Sequence, residues 1–396
     1  MLIQAIKNIF GNFTPVRYTE PITSCKPRKK KIVMDDIKIE SANDNLKALD
    51  FRPKKFADII GQDDVKEYLK IKIASFKKTN LSVGHMLFLG YSGSGKTTLA
   101  NVMAKEMGVG FHSVMGTRLK SWEDFYNILK KINTNDVIFI DEIHALSKEI
   151  QENLYSVMED FVVNLEDNGL KAQIQTRIPR FTLIGATTHS GDLNPPLLSR
   201  FQYKGQLRPY SIEQLTEMVV SAGNRIYKVR VPYDVARYIA KVSRKTARIC
   251  YNLLHAYIVV VEAEYAGRIE SHMLTKDLLY KTLKLEQLDP VIGLDYASRK
   301  YIVTMLRENG KPIGSKSLAT MIREQESTVT QMIEPFLLSD IELEFMDASG
   351  NAKVQVGPFA KLTKNGRIAT RESMNYLKLC KALQTQGWFT DESFNY

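Results

Sequence analysis

"HMLFLGYSGSGKT" (85–97) decides how the first half of this chain folds. A short apolar run ends at a glycine. The glycine-rich turn then passes directly into a segment of helical periodicity, Thr97–Met107. A strand, a turn of this spacing and a helix together make a phosphate loop. Glycines let the backbone close around phosphate oxygens with its N–H groups turned inward. The helix that follows presents its positive end to the same charge. Gly90, Gly93, Ser94, Gly95, Lys96, Thr97 and Thr98 are therefore the candidate nucleotide-binding loop. Lys96 is expected on the β- and γ-phosphates and Thr97 on Mg²⁺, so ATP and Mg²⁺ are the expected cofactors.

Outward from this loop, two more buried strands are expected, "DVIFID" (136–141) and "FTLIGAT" (181–187). Helical stretches such as Trp122–Ile132 lie between them. Buried strands alternating with helices predict an α/β fold, a parallel sheet with helices on both faces. Such sheets place ligands at the carboxyl ends of their strands. Asp141 and Glu142 emerge at that end. The first suits magnesium and the second suits a base that polarises attacking water, and the pair points to hydrolysis rather than binding alone. At the tip of "GATTH", Thr188 is the better-placed hydroxyl for the γ-phosphate or the water. His144 is a poor metal ligand, because no second His or Cys has suitable spacing.

Past Tyr210 the strand signals stop, and residues 211–288 read as a small helical domain, with Ile212, Leu215 and Val219 on one face and Leu253, Leu254 and Ala256 on another. "LDPVIGLD" (288–295) reads as a linker. Helices at Tyr296–Arg307, at Ser317–Arg323 and from a cap near Ser327 come next. Ile341, Leu343 and Phe345 alternate as a strand, and "KNGR" (364–367) reads as a hairpin turn built on Asn-Gly. This order is that of a winged helix. Five segments result: an extension (1–48) with an amphipathic face of Leu2, Ile6, Ile9 and Phe13 and the basic run "KPRKKK" (26–31); the ATPase domain (49–210); the helical lid (211–288); the winged helix (289–376); and a tail (377–396).

The chain has 396 residues, enough for roughly two to three domains, and a balance of 44% hydrophobic to 25% charged residues that suits a soluble globular protein. A net charge of +11 favours a polyanionic partner. The segment "STVTQMIEPFLL" (327–338), expected as the recognition helix, has no Arg or Lys, which argues against base reading. Lys361, Lys364, Arg367 and Arg371 on the wing suit phosphate contact without sequence choice. Cys25, Cys250 and Cys380 are odd in number and scattered, as expected of a reducing cytoplasm. No apolar run approaches the roughly 20 residues of a membrane span, and "MLIQAIKNIFGNF" lacks the features of a signal peptide.

"RPKKFADIIGQDDVKEYL", "GSGKTTLANVMAKEMGV", "DVIFIDEIHALS", "LYSVMEDF", "FTLIGATTHSGDLNPPLLSRF", "GLDYASRKYI" and "GRIAT" resemble the RuvB family, AAA+ motors of Holliday-junction branch migration. The resemblance runs over roughly 49–376 and includes the third domain as well as the generic ATPase motifs. It implies a homo-hexameric ring that pumps duplex and branched DNA in the nucleoid. By motif, it implies that Lys96, Thr97, Asp141 and Glu142 carry phosphate, magnesium and water. It places Thr188 at sensor 1, Arg248 at sensor 2 on the lid, Arg200 as an arginine finger entering a neighbouring subunit, Ile60 and Tyr210 beside adenine, and Arg367 on the DNA backbone. Tyr91-Ser92 and Ala247 stand where the family usually has proline. The family also implies a RuvA-like junction-binding partner on the hairpin at 162–178, whose tip here, "LEDNGLKAQ", is polar and shorter, and "DASGNAKVQVGPF" (347–359) reads as an extra segment of the wing. A helicase-loader or clamp-loader adaptor is the alternative function. A sequence-specific winged-helix regulator is a third, disfavoured by the neutral recognition segment.

Overall fold

A computed structural model describes residues 51–384 apart from 168–171, 189–190, 192 and 347–351. The expected amphipathic and basic features before Phe51, and the tips of the two hairpins, lie outside the described residues.

The first domain is built on one parallel sheet of β1 (Met86–Leu89), β2 (Phe111–Met115), β3 (Val137–Asp141), β6 (Thr182–Thr187) and β7 (Tyr203–Gln206), in the order β2-β3-β6-β1-β7. The three expected strands are its centre. They are apolar along nearly their whole length because both faces are covered. β2 and β7 are additions to the expectation. They are the edge strands, half exposed, and so carry the mixed pattern that reads as loop. β6 pairs with β1 on one side and β3 on the other, with Leu89 opposite Thr187 and Ile140 opposite Gly185. This register brings the phosphate loop, the tip of β6 and the Asp141-Glu142 pair to one edge. β4 (Val162–Asp167) and β5 (Ala172–Arg177) form a separate antiparallel hairpin between β3 and β6.

Tyr210 begins the core of the helical lid, in which Leu215, Val219, Leu253, Leu254 and Tyr257 are buried together. The stretch read as a linker is a built structure. Asp289, wholly buried, accepts hydrogen bonds from the N–H groups of Val291 (2.8 Å), Ile292 (2.9 Å) and Leu294, and from the Tyr376 hydroxyl (3.0 Å). Buried Arg299 donates to the carbonyls of Gln287 (2.8 Å) and Leu294 (2.7 Å). Satisfied backbone groups of this kind leave a buried segment little freedom.

The third domain contains the helices Tyr296–Arg307 and Ser315–Ile322 and a third helical run from Glu326 to Leu337 that passes through a π turn at Val329–Ile333. β10 (Ala360–Thr363) and β11 (Gly366–Ala369) form the wing. Thr363 pairs with Gly366, so the loop is Lys364-Asn365, one residue earlier than the Asn-Gly reading. Gly366 is instead needed for close approach. A β-carbon there would lie 2.3 Å from the Ile313 carbonyl oxygen. In the expected extra segment, β9 (Ala352–Gly357) pairs antiparallel with the expected strand, β8 (Ile341–Met346). The described part of the expected tail, to Gln384, continues the helix Arg371–Gln384, and its Leu377, Leu379, Cys380 and Leu383 join the domain's core. Among the described residues no helix is long and apolar enough to cross a membrane.

Candidate active site

The phosphate loop leaves β1 and enters the helix Lys96–Met107, whose preceding residue Gly95 holds a φ of 100°. A β-carbon on Gly93 (φ 79°) would stand 2.6 Å from the Thr246 methyl of the lid, so the loop and the lid touch where only glycine fits. The Tyr210 hydroxyl donates to the Ser94 carbonyl at 2.9 Å. Gln62 braces the same strip, donating to the Arg208 carbonyl (2.8 Å) and accepting from the Arg208 N–H (3.1 Å).

A cleft of about 300 Å³ lies between loop and lid, within the size range of small-molecule sites. Ile60, Gly93, Gly95, Lys96, Thr97, Thr98, Asp141, Glu142, Tyr210 and Arg248 all line it. Phe51, Met218 and Tyr251 complete its apolar wall. These three carry no motif and are united only by folding, which is why sequence reasoning missed them. Two expected loop residues do not line this cleft. Gly90 contributes its carbonyl to Lys96, and Ser94 lines a second cleft on the far side of the loop.

Lys96 Nζ donates to the carbonyls of Gly90 (2.7 Å) and Tyr91 (3.1 Å). Burial lowers its pKa below the usual lysine value, the carboxylates of Glu142 and Asp141 oppose that shift, and Arg248 adds to it. A buried ammonium facing two carboxylates and a guanidinium is arranged for a ligand rich in negative charge. Asp141 Oδ1 accepts from the Glu142 N–H at 3.1 Å. Glu142 itself sits at φ 52°, an uncommon conformation for a non-glycine residue and one often found at functional sites. Its Oε2 lies 3.2 Å from His144 Nδ1 without the alignment of a hydrogen bond, while His144 Nδ1 meets Thr187 Oγ1 at 2.8 Å. Thr187 is thus turned into the protein, and Thr188 is left at the strand tip with its Oγ1 buried and without a hydrogen-bond partner.

Arg248, at the start of the lid helix Ala247–Glu264, reaches Ser92 Oγ at 3.3 Å. Arg200 is elsewhere. It ends the short helix Pro195–Arg200, is not among the residues lining the cleft, and rests on Glu159 (3.1 Å), the Pro196 carbonyl (2.8 Å) and the Tyr155 ring, 4.4 Å from its centre. On the wing, Lys361 and Lys364 are exposed; Arg371, expected there too, begins the helix Arg371–Gln384 that follows the wing and is also exposed. Arg367 is not: its guanidinium forms a forked pair with buried Glu334, at 2.7 and 3.1 Å. The expected DNA-backbone contact is turned inward, because the carboxylate beneath it needs a counter-charge.

A five-stranded parallel sheet of this order, a phosphate loop roofed by a helical lid, and a winged helix beyond define an AAA+ P-loop ATPase with a nucleic-acid-binding module. Residues 51–207 match the Holliday junction DNA helicase RuvB P-loop domain, and residues 291–343 match the RuvB C-terminal winged helix domain. The chain belongs to the RuvB family of branch-migration motors. It is 35% identical to the Holliday junction branch migration complex subunit RuvB of Streptococcus uberis, over 83% of this chain and 92% of that one. Against the same subunit of Myxococcus xanthus the identity is 34%, over 88% and 93%. Among solved structures, the Thermotoga maritima RuvB Holliday junction branch migration motor superimposes with a TM-score of 0.69 at 32% identity, covering 83% of this chain and 98% of that one.

Proposed function

We propose that this chain works as a homo-hexameric, ATP-driven motor that moves duplex DNA through four-way junctions. The observation that carries the reading is one cleft shared by Lys96, Thr97, Asp141, Glu142 and lid residue Arg248, with the same lid braced against a winged helix. The bracing is an Arg244–Asp295 ion pair (3.0 Å) and a Lys245 bond to the Asp340 carbonyl (2.8 Å).

The donors present suit magnesium held jointly with phosphate. A hydroxyl and a carboxylate line the cleft, and among the described residues there is no cluster of three or more His, Cys, Asp or Glu that would hold a metal alone. Thr97 and Asp141 would hold Mg²⁺, which would supply neutralisation of phosphate charge. Lys96 orients the β- and γ-phosphates. Glu142 takes up the proton of the attacking water, and Thr188 offers its unpartnered hydroxyl to the γ-phosphate or that water. Ile60 and Tyr210 flank the base, and Arg248 draws the lid down on the phosphates. Arg200, facing away from its own cleft, serves the neighbouring subunit. Exposed Lys361, Lys364 and Arg371 take the DNA backbone. A RuvA-like junction-binding partner docks on the β4–β5 hairpin, and the motor works in the cytoplasm at the nucleoid.

The test is movement of a synthetic four-way junction by the full chain with Mg²⁺ and ATP, with and without a junction-binding partner. Strand exchange that requires hydrolysis is expected. DNA-stimulated hydrolysis with no junction movement in either condition would replace the motor with a loader-type adaptor.

A further inference from the structure

The wing is fixed to the body of its domain through Arg367. Its backbone makes two bonds with Ile313, accepting at 2.9 Å and donating at 2.8 Å. Its guanidinium holds both carboxylate oxygens of Glu334, through Nε at 2.7 Å and Nη2 at 3.1 Å. Glu334 lies in the last turn of the helical run Glu326–Leu337, and its Oε1 also accepts from the Tyr301 hydroxyl at 3.1 Å. Tyr301 belongs to the first helix of the domain and is wholly buried. One carboxylate therefore ties the wing to two helices. The two side chains are only 17% and 5% exposed.

A phosphate approaching this arginine would meet a neutral pair. Drawing the guanidinium outward would leave a buried carboxylate without its counter-charge, which is strongly unfavourable. Lys361 and Lys364 are differently placed. Both are exposed, the first on β10 and the second in its turn, and the wing's attachment fixes where they point.

We propose that Arg367 is a positioning residue that sets the wing's attitude through Glu334, and that the wing holds DNA phosphates through Lys361 and Lys364. The proposal rests on the reading that the wing meets DNA. It also makes Glu334, an acidic residue, favourable for binding a polyanion.

That sign is the test. Binding of the full chain to labelled duplex DNA is measured by anisotropy between 50 and 200 mM salt, over which affinity falls roughly threefold for each phosphate contact. Glu334→Ala and Arg367→Ala should each weaken binding by at least about that factor. The double variant should be no weaker than either single. If Arg367 were a phosphate ligand, Glu334→Ala would release it and remove a negative charge, so tighter or unchanged binding by Glu334→Ala overturns the proposal. Thermal melting reports whether the variants fold. Should Glu334→Ala fail, Glu334→Gln is read by the same signs, since the amide keeps one acceptor but loses the charge. Reversal of both lysines (K361E with K364E) tests the underlying reading on its own. Unchanged DNA affinity there means the wing is not the DNA surface. Weakened affinity there, with Glu334→Ala binding more tightly, leaves the wing on DNA and removes only the positioning role.

Discussion

Arg200→Ala should bind ATP and assemble but fail to hydrolyse it. The size of the effect follows from what the side chain gives up and what it gains. In this structure Arg200 pairs with Glu159, which is 57% exposed, and lies over the Tyr155 ring. An exposed ion pair is worth about 0–1 kcal/mol, and an exposed cation–π contact about 0.5–1 kcal/mol. Leaving that rest position therefore costs on the order of 0.5–2 kcal/mol. An arginine supplied to a neighbour's phosphoryl group speeds transfer by about 10³–10⁵, or roughly 4–7 kcal/mol. The gain exceeds the cost by at least about 2 kcal/mol, so the deletion should lower turnover by at least about thirtyfold once the ring forms. ATP turnover is measured on the variant alone and on mixtures with Lys96→Ala. Mixed rings contain some interfaces with an intact loop on one side and an intact finger on the other, so partial activity should return. Arg200→Ala hydrolysing ATP within a few-fold of the parent in assembled rings refutes the reasoning, and so does a mixture that stays inactive.

Three further outcomes are expected. Lys96→Ala should cut turnover by at least about 10²-fold, the scale of losing a charge-stabilising donor, and near-normal turnover would remove the phosphate assignment. Glu142→Gln keeps the shape but loses the base, so it should retain bound ATP without hydrolysis, and loss of ATP binding would make Glu142 structural. His85 is buried, with Nε2 on the Met158 carbonyl (2.9 Å) and Nδ1 accepting from the Leu183 N–H (2.9 Å). Burial lowers its pKa below the ordinary 6.5, with the Met158 bond opposing. The unfolded chain therefore binds this proton more readily than the folded one. The stabilisation is full above pH 6.5 and declines as pH falls toward the lower folded value. Melting of the parent and of His85→Asn between pH 7.5 and 5 checks this: the parent should lose stability more steeply on acidification, and equal slopes would exclude His85 as the cause.

The parts of the site legible in sequence were those that sit on one short stretch. The phosphate loop needs its glycines and Lys96 within a single turn, and the Asp141-Glu142 pair needs only a strand end. The register of β6 between β1 and β3 then joins them, which periodicity could suggest but not align. The wall formed by Phe51, Met218 and Tyr251 was not legible, because burial against a lid leaves no periodic signature in segments so far apart. Edge strands β2 and β7 were missed for a related reason. A half-exposed strand tolerates His112, Ser113 and Lys204, and the alternation dissolves. The reading of Arg367 shows the opposite limit. A basic residue on a wing has the composition of a DNA contact, and only the carboxylate packed under it, 33 residues earlier, shows where its charge is used.

Where the lid meets the winged helix, the lid's loop between the helices Tyr233–Lys241 and Ala247–Glu264 contains two consecutive non-glycine residues with left-handed backbones, Arg244 (φ 51°) and Lys245 (φ 54°). Their side chains are the ones that grip the third domain, and Arg248 stands three residues beyond Lys245. Held by these two anchors, the contact would act as a stiff coupling rather than a hinge. Any stroke that begins at the phosphates through Arg248 enters the next domain within one helical turn, with no slack chain to take it up. The lysines on the wing would then travel in step with the lid, and the efficiency with which nucleotide turnover becomes DNA displacement would depend on these two strained peptides as much as on the chemistry that drives them.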